Sequence, residues 1–405
     1  MEEVHRTIER VARASYGRLV AYMAARTRDV AAAEDALSTA LLAALTTWPR
    51  DGLPQKPEAW LLTTARRRLI DQIRHERVRA ASTYTLQLLS EPSAEATAVE
   101  PFPDERLKLL FVCAHPAIDP AMHTPLMLQT VLGLDAARIA RAFLVAPTTM
   151  GQRLVRAKAK IRDAGIAFEV PEDREWPQRL DAVLEAIYAA YGSGWEDAAG
   201  ADARGHGLAD EAFWLARVLV QRLPTEPEAR GLLALILYCE SRRQARRTPD
   251  GRYVPLSEQD TQRWSMPMID EAEGELAAAA QPARPGRFQL EAAIQSVHAE
   301  RARSGRTDWR AIAWFYEHLV QLAPTLGARI GHAAAMAEVH GPAAGLALLD
   351  AIDLGAVTLY QPYWAVRAHL LQQLGRQHDA FDAFDRAIGL AEDAAVRRFL
   401  RERRG

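Results

Sequence analysis

The chain has 405 residues, 49% apolar and 25% charged, which is enough for two or three packed domains and excludes a disordered or fibrous chain. Two cysteines, Cys113 and Cys239, exclude a disulfide framework, so a reducing compartment, the cytoplasm, is expected. The formal net charge of -2 hides a segregation: residues 1–85 carry about +4 and 105–165 about +5, the stretch between them about -4, and everything from 166 onward about -7.

Alanine, leucine, arginine and glutamate recur with helical period and alternating β-branched runs are nearly absent, which predicts an all-α chain. The amino terminus, MEEVHRTIERVARASYGRLV, is charged and helical, without a signal-peptide core. Nowhere do about 18 uncharged apolar residues run together, so no membrane partner is expected. The first block, 1–81, is interrupted by WPRDGLPQKP (Trp48 to Pro57), where prolines and a glycine predict a turn-rich loop between helices. From Trp60, WLLTTARRRLIDQIRHERVR places Arg66, Arg67, Arg68, Arg74, Arg77 and Arg79 on or near one helix. Leu61, Leu62, Ala65, Leu69, Ile70 and Ile73 form its buried side. A basic amphipathic helix is either a solvated face or a nucleic-acid surface. The aromatic residue at its start and the loop before it favour single-stranded DNA, whose extruded bases need stacking surfaces while cations hold the phosphates.

Residues 82–104 have linker composition. In the block 105–165, DAARIARAFLVAPTTMGQRLVRAKAKIR (135 to 162) predicts a helix, a tight turn and a second helix. Ile139, Ala140 and Phe143 on the first and Met150, Leu154 and Ala157 on the second recur at three- and four-residue spacing and are expected to face one another. Thr148, Thr149, Gln152, Arg153 and Arg156 are left on the outer face, the layout of a helix-turn-helix that reads the major groove. Pro147 fits the first helical turn, where its missing N–H costs little. An ordinary basic helical hairpin is the alternative.

The extension, 166–405, is rich in alanine and leucine, with breaks at LPTEP (Leu223 to Pro227), TPDGRYVPLSEQD (Thr248 to Asp260) and QPARPG (Gln281 to Gly286). In YWAVRAHLLQQLGRQHDAFDAFDRAIGL, Trp364, Ala368, Leu371, Gly375, Ala380, Phe384 and Ala387 fall where tetratricopeptide repeats place their packing residues. Stacked helical hairpins are expected, with a compact helical bundle as the alternative. The tryptophans at 176, 195, 214, 264, 309, 314 and 364 are assigned to hairpin packing.

Catalytic chemistry finds no support. Cys113 and His115 lack two further metal ligands at suitable spacing and are read as a buried thiol and a capping or core histidine. The histidines at 298, 318, 332, 340 and 369 have no paired carboxylate or nucleophile. Gly192 and Gly194 lack the lysine and hydroxyl of a phosphate loop and are read as a turn. No catalytic residue, metal or cofactor is expected.

Three stretches together resemble bacterial sigma factors of the sigma-70 family, extracytoplasmic-function type: AAEDALSTALLAAL (Ala32 to Leu45), AWLLTTARRRLIDQIR (Ala59 to Arg74) and the helix-turn-helix ending in RLVRAKAKIR. The resemblance covers roughly the first 165 residues. It implies that Glu34, Asp35, Ser38 and Leu41 dock on core RNA polymerase. It assigns Trp60, Arg66, Arg67, Arg68 and Arg74 to the melted minus-10 element, and Thr148, Thr149, Gln152, Arg153 and Arg156 to the minus-35 element of promoter DNA. The chain departs from the family pattern at Ser38, where glutamine is common, and at Leu41, where an aromatic is common. Arg67 and Arg138 replace a frequent asparagine and a frequent glutamate. The loop before Trp60 and the long tail, including Gln259-Asp260 and Arg263-Trp264, are similar to a subgroup with a tetratricopeptide-like extension. Such an extension would act within the molecule, as a mask over the basic modules, or with a regulatory protein or the polymerase. A polymerase-independent regulator with a sensor domain and a helical-repeat scaffold are the rival readings.

Overall fold

The computed structural model describes residues 2–77, 104–143, 145–170, 176–197 and 203–405, so the linker expected at 82–104 lies outside the described residues except for Asp104. Among the described residues all regular elements are helical, apart from one isolated antiparallel bridge between Arg247 and Tyr253, as the all-α expectation requires. The chain forms two compact units: unit 1 is Met1–Gly194 with Gly207–Leu215, and unit 2 is Trp195–His206 with Ala216–Gly405.

Unit 1 begins with three packed helices, α1 (Glu2–Thr27), α2 (Val30–Asp51) and α3 (Pro57–Arg77). The Asp29 carboxylate starts α2 by accepting the Ala32 N–H at 3.0 Å. Helix α2 has the length and apolar composition of a membrane span, yet Val30, Ala33, Leu37, Ala40, Ala44 and Trp48 are buried in the protein. The expected loop is shorter than its composition suggests, because α2 continues through Pro49 and only 52–56 are non-helical. Pro49 removes the N–H that would donate to the Leu45 carbonyl, a loss confined to the end of the helix, and buried Trp48 packs edge-on against Trp60 at 5.4 Å, which holds the two helix ends together. Gly52, at φ 92°, closes the helix with its N–H on the Trp48 carbonyl.

The next four helices are α4 (Arg106–Cys113), α5 (Pro120–Thr130), α6 (Ala136–Ala142) and α7 (Pro147–Asp163). Pro147 occupies the first turn of α7, as its position predicts. Ile139, Ala140, Met150, Leu154 and Ala157 are buried, but Phe143 is 38% exposed. Helix α6 ends at Ala142, and Phe143, whose N–H still donates to the Ile139 carbonyl, lies exposed at the turn instead of in the seam. Beyond these, α8 (Trp176–Asp197) runs straight through Gly192 and Gly194, where the sequence predicts a turn. Two glycines cost a helix about 1 kcal/mol each against alanine, which does not end a helix of 22 residues. Helix α9 (Ala203–Arg222) contributes Gly207–Leu215 to unit 1.

Unit 2 is a succession of helices packed mostly on partners one or two elements away in sequence. Helix α10 (Pro227–Ser241) packs on α11 (Met266–Ala280) and α12 (Arg287–Ala299). After one turn, α13 (Arg301–Ser304), α14 (Trp309–Leu322) pairs with α15 (Leu326–His340), and α15 pairs with α16 (Pro342–Asp350). The short α17 (Leu354–Val357) leads to α18 (Gln361–Gln373), α19 (Gln377–Leu390) and α20 (Ala394–Arg404). Trp364, Ala368, Leu371, Ala380, Phe384 and Ala387 are buried in one cluster with Leu346 and Leu349, and Gly375, at φ 75°, makes the turn between α18 and α19. Trp264 is buried like Trp364, but Trp314 is 54% exposed, so not every tryptophan is packing. Trp176 and Trp195 have no described side chains.

Candidate nucleic-acid interface

Helix α7 separates two chemistries. Its apolar side, Met150, Leu154, Ala157 and Ile161, is buried against α5 and α6, which fixes its roll. That leaves Thr148, Gln152, Arg153 and Arg156 exposed on the opposite side, with Thr149 half-buried. Arg153 and Arg156 form no ion pair with the described residues, so their guanidiniums remain available to a phosphate or a guanine edge. Val155, 65% exposed beside them, is an apolar side chain on the same face that the sequence pattern did not single out.

On α3, Leu61, Ala65 and Leu69 are buried, Leu62 and Ile70 half-buried, and Arg67 and Arg68 exposed. Arg66 is half-buried, and Arg74 lies in the same helix with its side chain outside the described residues. Trp60 stands half-buried at the start of α3, its ring held by Trp48. Glu58 anchors this end of α3 to α1 by accepting from Ser15 and Arg18. The aromatic platform and the cations of α3 are therefore carried by one rigid helix.

The four polymerase-docking residues expected on α2 divide by face. Asp35 and Ser38 are exposed and Leu41 half-buried, with exposed Leu42 and Leu45 continuing their stripe. Glu34 instead turns inward, and its Oε2 accepts from Lys158 Nζ of α7 at 2.5 Å. The side chains of this pair are only 10% and 11% exposed. Burial raises the Glu34 carboxyl above its ordinary range, against the opposing pull of Lys158. The same burial, with the charges of Glu34 and Asp35, pushes the Tyr16 phenol up. Glu34 Oε1 is buried without a hydrogen-bond partner. A second contact, Arg162 to Asp29 at 3.8 Å, lies at the more exposed edge. Neither pair is legible in the sequence, because each joins residues more than a hundred positions apart.

Two backbone approaches complete this contact between the three-helix bundle and the helix-turn-helix. A Cβ at Gly17 of α1 would lie 1.7 Å from the Val131 carbonyl oxygen, so only glycine permits this seating. Tyr16 packs against Gly133, whose φ of 69° favours glycine. The first helix of the second block is held by the extension: Arg106 of α4 binds Asp104 at 2.8 Å and Glu211 of α9, and lies over the Trp214 ring at 4.1 Å.

Metal chemistry has no cluster of ligands among the described residues. Cys113 is fully buried beside Thr130, and burial pushes its thiol up to about 12. His115 caps a turn, its Nδ1 accepting the Ala117 N–H at 3.1 Å.

Comparison with known proteins places these features. The model of sigma-70 region 2 matches residues 11–79, the three-helix bundle, and a family of unknown function, DUF6596, matches residues 179–280. An uncharacterized protein of Rhizobium meliloti (strain 1021) is 38% identical over 380 residues, covering 92% of this chain and 89% of its own length. No solved structure gives a significant match. The chain forms one family with the Rhizobium protein, and its first block carries a sigma-70 region 2.

Proposed function

We propose that the protein is a promoter-specific sigma factor of the extracytoplasmic-function type. The three-helix bundle docks on core RNA polymerase through the Asp35, Ser38 and Leu41 face of α2, with Glu34 joining when exposed. Melted minus-10 bases are held against Trp60 and the cations Arg66, Arg67, Arg68 and Arg74. Helix α7 enters the major groove of a minus-35 element, where Gln152 suits adenine, Arg153 and Arg156 suit guanine or phosphate, and Thr148 and Thr149 contact the backbone or base edges. Each good bidentate base contact contributes about 1–3 kcal/mol of discrimination, whereas phosphate contacts add affinity without sequence information. No bond is made or broken by the protein itself. The acidic, tetratricopeptide-like extension acts as the regulatory part, in a cytoplasmic protein with no cofactor and no membrane partner.

The observation that supports this reading most is the polar, unpaired face of α7 opposite a fully buried apolar one, in a chain whose first block matches region 2. Reconstitution tests it. The full chain is expected to form a stoichiometric complex with core polymerase and to start run-off transcripts at a defined position. A chain that ignores core polymerase at low salt is no sigma factor.

A further inference from the structure

Between α10, α11, α12 and the turn that leads into α14, unit 2 holds a cavity of about 750 Å³, within the size range of small-molecule sites. Its depth can be followed in exposure. Tyr238 of α10, 1% exposed, is the floor. Leu276 of α11, Val297 of α12 and Ala311 of α14 are half-buried walls. Glu300, Arg306 and Asp308 stand exposed at the mouth. Two features of the sequence open this space. Ala277 and Ala280 lie on the α11 face where larger side chains would fill it. Gly305, at φ 70°, ends α13 in the left-handed conformation and turns the chain, so that α14 starts at Trp309 under the Asp308 cap.

The floor and the mouth suit different groups. The Tyr238 hydroxyl is buried without a hydrogen bond, and the hydroxyl of Ser296, also in the wall, is committed to the Ala293 carbonyl at 2.8 Å. Burial and the charge of Glu273 push the phenol up, against a smaller pull from Ser296 and Arg303, so at neutral pH it keeps its proton and can donate. A buried hydroxyl left without a partner costs free energy that a bound acceptor restores. At the mouth, Arg303 is held by Asp270 at 2.7 Å, by Glu273, and by Glu300 at 3.5 Å, which fixes α13 against α11. Asp308 caps α14 through Oδ1, and neither it nor Arg306 forms an ion pair with the described residues. The carboxylates of Asp270, Glu273, Glu300 and Asp308 thus outnumber the guanidiniums of Arg303 and Arg306 around an apolar-walled cavity. Such an opening attracts cations.

We infer that this cavity is a binding site for a small amphipathic amine. Its ammonium group is held at the mouth by Asp308 and Glu300, its apolar body lies against Leu276 and Val297, and an acceptor at its far end, such as a hydroxyl, meets the Tyr238 hydroxyl. An anionic head of the same shape meets the carboxylates of the mouth as repulsion, which gives the site its selectivity. Neither the DNA-reading helices nor the docking face of α2 contributes a residue, so the site goes beyond the sigma-factor reading and stands or falls without it. It gives the extension a chemical input of its own.

The test uses the full chain and three probes of one shape. Tyramine carries both the ammonium and the hydroxyl, phenethylamine lacks the hydroxyl, and para-hydroxyphenylpropionate replaces the ammonium by a carboxylate. Ligand-observed NMR titrations give each Kd. Tyramine is expected to bind with a Kd of about 5 mM or tighter, as its size allows. Phenethylamine should bind about five-fold more weakly, the worth of one hydrogen bond, and the propionate about ten-fold more weakly or worse. In Tyr238→Phe the advantage of tyramine over phenethylamine should vanish, while phenethylamine keeps its Kd. Asp308→Asn, which retains an oxygen for the α14 cap, should weaken both amines and not the propionate. Circular dichroism reports whether each variant is folded. If Tyr238→Phe is not, Ala277→Phe decides, because at that exposed wall position the ring obstructs the cavity and should abolish tyramine binding. No saturable tyramine binding in the stated range overturns the site, as does a propionate that binds as tightly as the amines. A tyramine preference that survives Tyr238→Phe, or tyramine binding that survives Ala277→Phe, puts the probe elsewhere on the chain and overturns it equally.

Discussion

Lys158 reads in the sequence as one more cation on a basic helix, and in the folded chain it is buried against a carboxylate 124 positions away. Arg153 and Arg156, five and two residues before it, do face outward as their helical positions predict. The difference is physical: helical period tells which side of α7 a residue occupies, but the identity of the neighbour across a tertiary contact leaves no trace in local spacing. His298 shows the same limit. Nothing around it in the sequence marks it, yet its ring packs edge-on against Trp309 at 5.4 Å. Burial, with the charges of Arg242 and Arg301, lowers its pKa to about 3. A histidine held neutral in this way favours the folded state at neutral pH, above its unfolded pKa near 6.5, and that contribution is lost as pH falls toward about 3. Unit 2 is therefore expected to lose on the order of 3 kcal/mol between pH 6.5 and 3 through this group. His298→Gln should flatten that part of the slope in denaturant titrations, and an unaltered slope would show that His298 titrates normally.

At the scale of elements, the sequence carried the long amphipathic helices and missed their ends. The α18–α19 hairpin was legible because its small and large residues alternate at helical spacing, and Trp364, Ala368 and Phe384 are buried in one cluster. The α6 seam was legible except at Phe143, where the helix stops one residue early. Composition overstated the breaks at Pro49 and at Gly192, since tertiary packing tolerates a proline in a last turn and a glycine within a long helix. Capping by a distant residue is also invisible locally. Helix α12 starts after Gly286, which has no side chain to cap it, and Glu228 of α10 supplies the carboxylate instead. Its oxygens accept the N–H groups of Phe288 at 2.9 Å and Gln289 at 3.2 Å. Glu228→Ala is expected to destabilise unit 2 by about 1–2 kcal/mol, the magnitude of a lost cap. Glu228→Gln should recover part of it, because an amide oxygen still accepts. A wild-type unfolding midpoint in Glu228→Ala would remove the capping role.

For the whole molecule, charge suggested a seam near residue 165, between the basic modules and the acidic tail. The compact unit that contains the helix-turn-helix reaches further, because Glu211 and Trp214 hold Arg106 of α4. No local pattern announces a pairing across 105 positions. A chain ending at 222 is expected to keep the thermal stability of unit 1, whereas one ending at 170 should melt several degrees lower, having exposed the Arg106 site. Equal melting of the two would show that Gly207–Leu215 contributes nothing there. What the sequence did convey at this scale is the order of the parts, a region 2 bundle followed by a second basic block and a helical extension, because each part carries its own periodicity and charge.

The central claim is that two separate helices of one chain read two separate promoter elements, and a hydroxyl-radical footprint of the reconstituted holoenzyme on its promoter tests it most directly. Two protected tracts about 25 base pairs apart are predicted. Arg153→Ala with Arg156→Ala should erase only the upstream tract, and Arg67→Ala with Arg68→Ala only the downstream one. A single tract, or two tracts lost together in either variant, would contradict the account.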